Sequence, residues 1–274
     1  MHDGTAVARG QGMVYRYDGS FEGFLCCIYD RYTRREPVLE IWLEGEGALS
    51  LYPTREVETV ATHADRVYAS LPGKLGGQGL ELLKTVFLSH EAGRETDMLR
   101  FVELGYAHGP AVAGMLAHPA VNHLHRLWKN VTNEAHRYKQ FLRFEEVLAQ
   151  ESETTLPMLP GAAEGYQPRG LLVGTIQPQN HVLPLIAPHF CDRYPQERML
   201  IHDVTHGQAM LYQPYQVELL TLETLPEGLA GENGLYQQLW KNYCRTTAIM
   251  ARANPRCQMG MMPKRYWKQM LEMQ

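Results

Sequence analysis

The C-terminal part of the chain combines cations with aromatic rings in a segment that contains no acidic residue. From Lys241 to Lys268, 28 residues hold seven Lys or Arg and no Asp or Glu, although the whole protein has 26 basic and 30 acidic residues. Cationic groups neutralise phosphates and flat rings stack on unpaired bases, so this composition is typical of a nucleic-acid groove. A solvated basic helix face with buried aromatics explains the pattern equally well. The residues that would contact nucleic acid here are Lys264, Arg265, Tyr266, Trp267 and Lys268.

A second basic segment coincides with the helical periodicity of Val121–Leu148. Apolar residues recur there at steps of three and four, which predicts an amphipathic helix over this range. At about 100° per residue, the basic side chains fall within an arc of about 120° on the opposite side of that helix. This ridge suits backbone phosphates, and an ordinary solvated helix face is the alternative. Its members are Arg126, Lys129, His136, Arg137 and Arg143.

The twelve histidines raise the question of a metal site. His202, Asp203 and His206 offer imidazole and carboxylate donors, but on a strand His202 and Asp203 would point to opposite faces. Neither this pattern nor His123-x-His125 matches the H-E-x-x-H or zinc-finger spacing. We therefore predict no metal site and no cofactor.

Motifs for nucleophilic or phosphate chemistry do not support an enzyme class. The glycine-rich run from Gly73 to Gly79 fails the order G-x-x-x-x-G-K-[ST], so it predicts a helix connector, and there is no G-x-S-x-G elbow. The acid–base candidates are His136, His189 and Asp203, because an unperturbed histidine with a pKa of about 6.5 suits proton transfer near neutral pH.

Composition indicates a globular protein of a reducing compartment. The five cysteines form no C-x-x-C pair, and no apolar run approaches the roughly 20 residues of a membrane span. Residues 1–12 lack an apolar core, which predicts a disordered tail and no signal peptide. We expect a cytoplasmic protein without membrane association.

The elements that must position these residues change in character along the chain. Residues 13–150 are predicted to be mainly helical, with helix breaks at Leu71–Gly73 and His108–Pro110. The other predicted elements of this half are a strand at Met13–Asp18, a helix from Phe21 to Tyr32 and a short strand at Leu49–Tyr52.

A proline- and glycine-containing segment, Gln150–Pro168, is the predicted linker or inserted loop (151–168) before an α+β region at 169–274. That region either packs with residues 13–150 as one domain or forms its own. The fold class is α+β: a mainly helical N-terminal half followed by a small antiparallel sheet flanked by helices. The predicted strands are Leu171–Ile176, Met199–Val204, Ala209–Gln213 and Val217–Leu222, and the second and third of them form a predicted hairpin around Thr205–Gln208. The predicted helices are Val182–Asp192, Gly234–Ala253 and Lys264–Glu272.

Four stretches carry a family resemblance: Tyr15–Tyr32, Glu134–Phe144, Leu183–Asp203 and Asn254–Trp267. In this order they resemble the DNA metabolism or repair family that contains the domain of unknown function DUF4130, and the resemblance runs from Met13 to Gln274. Two departures are His206, where the family has a basic Lys or Arg, and the length of the segment before Pro168.

The resemblance implies a genomic context more than a reaction. Family genes commonly neighbour a DNA-modifying radical-SAM protein, and some members are fused to a uracil-DNA-glycosylase-type domain, whose activity we do not expect here. The implied partners are DNA and a radical-SAM iron–sulfur protein. The positions singled out by the motifs are His136, Arg137, Arg143, Phe144, His189, Phe190, Arg193, Asp203, Pro263, Arg265, Tyr266 and Trp267.

Three functions stay open from the sequence. The leading one is a DNA-binding accessory protein of a repair or modification system; the others are a nucleic-acid-processing enzyme with a His/Asp/Arg site and a protein-binding scaffold. The motif aromatics are either core residues or base-stacking platforms. We also predict that the motifs converge, with Arg143 near Asp203 or His189.

Overall fold

The computed structural model describes residues 12–45, 50–148, 170–226 and 262–270, together with isolated positions between 227 and 273. The chain divides into two compact units, Met1–Val131 and Thr132–Gln274, and each has its own clusters of buried apolar side chains. The division falls within a helix, Pro119–Phe141.

Three predicted segments lie outside the described residues wholly or for the most part. They are the N-terminal tail apart from Gly12, the linker Gln150–Pro168, and the helix Gly234–Ala253 apart from a few isolated positions.

The first unit is built mainly from helices. Helix α1 (Phe21–Arg34) begins after Ser20, whose hydroxyl accepts a hydrogen bond of 2.9 Å from the amide of Gly23, and it ends at Arg35, which has a φ of 54°. Phe24, Leu25 and Ile28 are buried, and the helix predicted from the apolar spacing is confirmed. The other helices are α2 (Ala61–Phe87), α3 (Arg94–His108), a 3₁₀ helix (Gly109–Gly114) and the first part of α4 (Pro119–Phe141).

The two predicted helix breaks have different outcomes. The break at His108–Pro110 is confirmed, because α3 ends at His108 and the 3₁₀ helix follows. The break predicted at Leu71–Gly73 is displaced to Gly76, whose φ of 68° and ψ of 175° kink α2. Glycine adopts that backbone conformation with little strain, whereas Pro72 is accommodated within the helix.

A three-stranded parallel sheet in the order β2-β1-β3 completes the first unit. Its strands are β1 (Met13–Tyr17), β2 (Val38–Leu43) and β3 (Thr54–Glu56). The strand predicted at Leu49–Tyr52 is wrong, since the described part of this segment bends and Leu51 is 98% exposed. The pairing with β1 begins only after this segment, where the carbonyl of Pro53 accepts a hydrogen bond of 2.9 Å from the amide of Val14.

Helix α4 is shorter than its sequence pattern predicts. It ends at Phe141, and the following residues form a strand, β4 (Phe144–Leu148), instead of continuing the helix to Leu148. This strand pairs along its full length with β5 (Gly170–Ile176), which follows it in the chain only after residues 149–169. Pairing with a distant strand overrides the local helical periodicity.

The second unit also contains α5 (Leu183–Arg193), β6 (Arg198–Asp203), β7 (Gln208–Gln213) and β8 (Gln216–Thr221). Its strands form a five-stranded mixed sheet in the order β4-β5-β6-β7-β8. Strands β5 and β6 are parallel, and helix α5 connects them; every other pair is antiparallel. The predicted β6–β7 hairpin and the strand after it are confirmed, and so is the α+β class.

Helix α5 and the C-terminal segment cover one face of this sheet. Ile186 and Phe190 of α5 pack with Ile201, Met210 and Tyr266 in one buried cluster. The helix predicted at Lys264–Glu272 is instead a 3₁₀ helix, Lys264–Gln269, as far as the structure describes it. Within the described parts of the chain, no helix has both the length and the apolar character needed to cross a membrane.

Candidate nucleic-acid interface

Glu134 of α4 is the centre of a polar cluster in the second unit. Its side chain is only 1% exposed, yet the carboxylate accepts hydrogen bonds from the amide of Asn180 at 2.9 Å, from the Asn180 side chain at 2.6 Å and from the amide of Gln179 at 3.1 Å. Arg265 Nη2 lies 3.3 Å from the same carboxylate. The buried charge is therefore compensated by four donors, as burial of a carboxylate requires.

Tyr266 joins this cluster to the apolar core. Its ring is 1% exposed and makes an edge contact with Tyr138 at 5.1 Å between centroids. Arg265 Cζ lies 4.9 Å and Arg137 Cζ 5.9 Å from the centroid of that ring, and Arg265 also donates to the phenol oxygen at 2.7 Å. Tyr266 is thus a core residue flanked by cations, and it does not offer an open face to a base.

Burial keeps the Tyr138 phenol of this cluster uncharged. Burial, with smaller contributions from Tyr266 and Glu134, raises the pKa of the Tyr138 phenol far above its usual value. The positive charge of Arg265 is shared between Glu134 and the side-chain oxygen of Gln179, at 2.7 Å. Arg265 therefore has a structural role in addition to any contact with phosphate.

One exposed cation of the C-terminal 3₁₀ helix lies next to a partly exposed indole. Lys264 is exposed, and its Nζ lies 5.8 Å from the ring centroid of Trp267. The indole N–H of Trp267 donates a hydrogen bond of 3.0 Å to the carbonyl of Met262, which fixes the ring's orientation. Of the predicted contact residues, the side chain of Lys268 lies outside the described residues.

The remaining predicted cations have defined partners of their own. Arg137 and Arg143 are half-exposed, and Arg143 donates to the carbonyl of Gln140 at 3.2 Å. Arg193 is exposed, with its Cζ 5.6 Å from the ring centroid of Tyr194. All three belong to the second unit.

Arg126 and Lys129 belong to the first unit, although they lie on the same helix as Arg137. Arg126 is 70% exposed and lies 3.4 Å from the carboxylate of Glu91, and Lys129 is exposed. Glu91 lowers the net positive charge at this part of the helix, so a second-unit surface is the stronger candidate for phosphate contacts.

Asp203 is completely buried and pairs with His206, which the sequence analysis considered as a metal donor and not as an acid–base candidate. Its Oδ2 lies 2.7 Å from Nδ1 of His206, and its Oδ1 accepts hydrogen bonds from the amides of Thr205 at 3.0 Å and His206 at 3.2 Å. The centroid of the His206 ring lies 3.8 Å from the centroid of the His181 ring. The carboxylate both stabilises the β6–β7 turn and orients an imidazole. The spacing Asp-x-x-His before Gly207 was the signal for this pair.

The other two acid–base candidates are not partners of Asp203 in the described parts of the chain. His136 is exposed on α4, where its Nε2 lies 3.0 Å from the Gln140 side chain. His189 is half-buried on α5 beside Phe190, at 5.0 Å between ring centroids. The approach of Arg143 to Asp203 or His189 stays a prediction.

Two of the sequence motifs, Glu134–Phe144 and Leu183–Asp203, nevertheless meet at one end of the strands of the five-stranded sheet. Strand register places Phe144 opposite Gly174 and Gly174 opposite Ile201, so the start of β4 and the ends of β5 and β6 lie together there. Phe144 also makes an edge contact with Phe190 of α5, at 5.2 Å between centroids. Asn180 and His181 follow β5, and these consecutive residues link the Glu134 cluster to the Asp203–His206 pair.

The second unit carries an exposed cation beside an indole and, separately, an imidazole oriented by a buried carboxylate. Among the described residues, no group of three or more His, Cys, Asp or Glu is arranged to hold a metal ion.

The chain matches no curated protein and no solved structure. The family model of the domain of unknown function DUF4130 matches residues 92–272. This match covers more than half of the chain, and the protein belongs to the DUF4130 family.

Proposed function

We propose that this protein binds DNA as an accessory protein of a DNA repair or modification system and works beside a radical-SAM iron–sulfur protein. The observation that supports binding most directly is that the exposed Lys264 lies beside the partly exposed Trp267. Arg137 and Arg265 flank the ring of Tyr266, the residue before Trp267. The family resemblance supports the DNA context and the partner.

Local charge explains how a net-acidic protein can bind a polyanion. The formal net charge is −4, which opposes association unless positive potential is concentrated on one surface. In the second unit the only carboxylate in contact with Arg265 among the described residues is the buried Glu134. The charges of Arg265 and Glu134 compensate each other, so Lys264 and Arg137 add net positive potential beside this pair.

Salt dependence of binding tests this proposal. If about four to six phosphates are neutralised, log affinity for DNA should fall against log salt with a slope of roughly −3 to −5. The double variant Arg137→Ala/Lys264→Ala should reduce the magnitude of that slope by about one to two. Lys84→Ala is the control, because this exposed lysine also lies over an aromatic ring, that of Tyr68 at 5.0 Å, but in the first unit. Absence of salt-dependent binding to single- or double-stranded DNA would leave the protein-binding scaffold as the surviving function.

The partner proposal includes the claim that this chain supplies no cluster ligand. Cys26 and Cys27 are buried, and burial, with the neighbouring Cys26 adding, raises the pKa of Cys27 well above its usual value, which disfavours the thiolate that an iron–sulfur cluster needs. Burial likewise raises the pKa of Cys191. Cys244 and Cys257 lie outside the described residues.

Co-purification from the native host tests the partner proposal. The iron–sulfur protein should be recovered with this chain, and replacing all five cysteines by Ala or Ser in a variant that still folds should leave the partner's cluster absorbance unchanged. Loss of that absorbance in the folded variant would contradict the claim.

A nucleic-acid-processing enzyme is the second candidate, and the Asp203–His206 pair favours it. A buried carboxylate on Nδ1 fixes the imidazole tautomer and leaves Nε2 for proton transfer. If the protein converts a labelled oligonucleotide, His206→Ala should abolish turnover while His136→Ala should not. No product from the wild-type protein with its partner present would remove this candidate.

A further inference from the structure

A cavity of about 490 Å³ lies in the first unit between helices α1, α2 and α3. Ile28 of α1 and Val67 of α2 line it with buried apolar surface, at 1% and 6% exposure. Its volume falls within the range of roughly 300–1,000 Å³ that is usual for small-molecule sites. None of the residues that line this cavity belongs to the proposed DNA-binding surface of the second unit, which is formed by Arg137, Lys264 and Trp267.

Aromatic rings line this cavity in stacked pairs. The ring of Tyr32 stacks on that of Tyr106, with 5.0 Å between centroids and 28° between planes. Tyr29, which also lines the cavity, stacks on His63 at 3.9 Å and 10°. Tyr32 is 40% exposed, and Arg31 Cζ lies 5.8 Å from its ring centroid, so a planar group that reaches this ring also meets a guanidinium.

Polar groups and cations lie beside these rings. Ser70 Oγ is 2.5 Å from the phenol oxygen of Tyr106 and donates to the carbonyl of Val67 at 2.7 Å, so the two hydroxyls retain acceptor capacity for a ligand. Arg66 is exposed and lines the cavity, and Lys74 Nζ lies 5.6 Å from the Tyr106 ring centroid. Apolar walls, stacked rings, hydroxyls and cations together match a base, a sugar and a phosphate.

We propose that this cavity binds one unpaired nucleotide, with its base against Tyr32 and its phosphate toward Arg66. Where that nucleotide is part of a DNA strand, the inference rests on the proposed DNA-binding function. Where it is a free mononucleotide, it does not. The Tyr32 phenol, like any tyrosine with a pKa of about 10 or more, is uncharged at neutral pH and does not repel a phosphate. Burial, with Glu103 and Tyr106 adding, raises its pKa to about 12.

The chain offers a matched set of variants for the test. Tyr32→Ala removes the accessible ring, and Tyr32→Phe keeps the ring while it removes the hydroxyl. Tyr68→Ala is the control: Tyr68 is 38% exposed, contacts a lysine on the same helix and does not line the cavity. Circular dichroism confirms that each variant of the full chain is folded before binding is measured.

Fluorescence titrations with dAMP and with a short oligo-dA probe measure binding to each variant. Stacking of one base contributes roughly 1–3 kcal/mol, so Tyr32→Ala should weaken binding by about 5- to 150-fold. We expect Tyr32→Phe to stay within about threefold of wild type and Arg66→Gln to weaken both probes. Dependence on Tyr32 with dAMP identifies a site for free nucleotides, and dependence with the oligonucleotide alone identifies an unpaired nucleotide in a strand.

The two proposals fail in different ways. If Tyr32→Ala binds both probes as wild type does, or if Tyr68→Ala loses as much affinity, the cavity is not the site. If the oligonucleotide then still requires Arg137 and Lys264, the proposed function survives without the cavity. If wild type binds dAMP in a Tyr32-dependent manner but binds no DNA, the cavity survives and the proposed function does not. Binding of neither probe overturns both.

Discussion

The guanidinium of Arg265 lies 3.3 Å from the buried carboxylate of Glu134 and joins two sequence motifs that are far apart in the chain. Glu134 belongs to the motif on α4, and Arg265 belongs to the motif at the C-terminal 3₁₀ helix. The loop after β5 contributes the amides of Gln179 and Asn180 to the same carboxylate. One buried charge thus fixes three segments of the second unit relative to each other.

Glu134→Gln should destabilise the second unit by about 2–4 kcal/mol. A glutamine side chain offers one acceptor oxygen to the four donors and turns an amide N–H₂ toward the others, so buried donors lose their partner. Arg265→Ala should cost less, about 1 kcal/mol, because the guanidinium is 36% exposed and the backbone donors remain.

Urea unfolding followed by fluorescence and circular dichroism measures both free-energy changes. Glu218→Gln is the control, since Glu218 is exposed on β8, and it should change stability by less than about 0.5 kcal/mol. Equal, small effects of Glu134→Gln and Glu218→Gln would show that the Glu134 cluster is not stabilising.

Some of this arrangement was predictable because it depends on neighbouring residues. The apolar spacing from Phe21 onward predicts α1, and the turn around Gly207 between apolar strands predicts the β6–β7 hairpin. The strand β4 was not predictable, because residues 144–148 become a strand only through pairing with β5.

The Glu134 cluster was not predicted either, although α4 contains a signal for it. Glu134 lies between the buried residues Val131 and Tyr138 on the apolar stripe of the helix. A carboxylate at such a position needs buried donors. The sequence does not reveal that those donors are Asn180 and Arg265, because long-range folding brings them together.

Replacing Gly76 by alanine should destabilise the first unit by about 1–3 kcal/mol. Its φ of 68° and ψ of 175° are costly for a residue with a Cβ, and a Cβ here would also lie 3.0 Å from Cβ of Pro110. Gly77→Ala is the matched control, because the added Cβ would meet nothing within 4 Å and alanine favours helix. Thermal unfolding should show a lower Tm for Gly76→Ala and an unchanged or higher Tm for Gly77→Ala. The reverse order would contradict the kink geometry.

Asp18 should make the stability of the first unit depend on pH in the acid range. Burial opposes its ionisation, but hydrogen bonds from Ser20 and Thr59 outweigh that effect and hold the pKa of Asp18 below its usual value. A carboxyl group with a lowered folded-state pKa stabilises the protein above its unfolded pKa of about 3.9 and loses that contribution as pH falls.

Comparison of wild type with Asp18→Asn isolates this contribution. The difference in free energy of unfolding should be largest above about pH 4 and should disappear as the pH falls through the folded pKa of Asp18. Urea titrations at several pH values measure it. A difference that stays constant from neutral to acid pH would assign the effect to lost hydrogen-bond geometry and not to ionisation.

Trp267→Ala should weaken binding to single-stranded DNA more than it weakens folding. The indole is partly exposed, is held by its hydrogen bond to Met262 and has Lys264 over its ring, so a base can stack where solvent now contacts it. Loss of one stacked base should reduce affinity by roughly 1–3 kcal/mol, and Trp267→Phe should retain most of it.

A second tryptophan in the same kind of contact provides the control. Trp42 is also partly exposed, its N–H donates to Glu40 at 2.7 Å, and Arg16 Cζ lies 5.8 Å from its ring centroid, but it belongs to the first unit. Trp42→Ala should lower stability without changing DNA affinity. If Trp267→Ala instead loses about 3–5 kcal/mol of unfolding free energy and its folded fraction binds DNA normally, Trp267 is a core residue. Phosphate contacts by Lys264 and Arg137 would then account for binding without base stacking at this position.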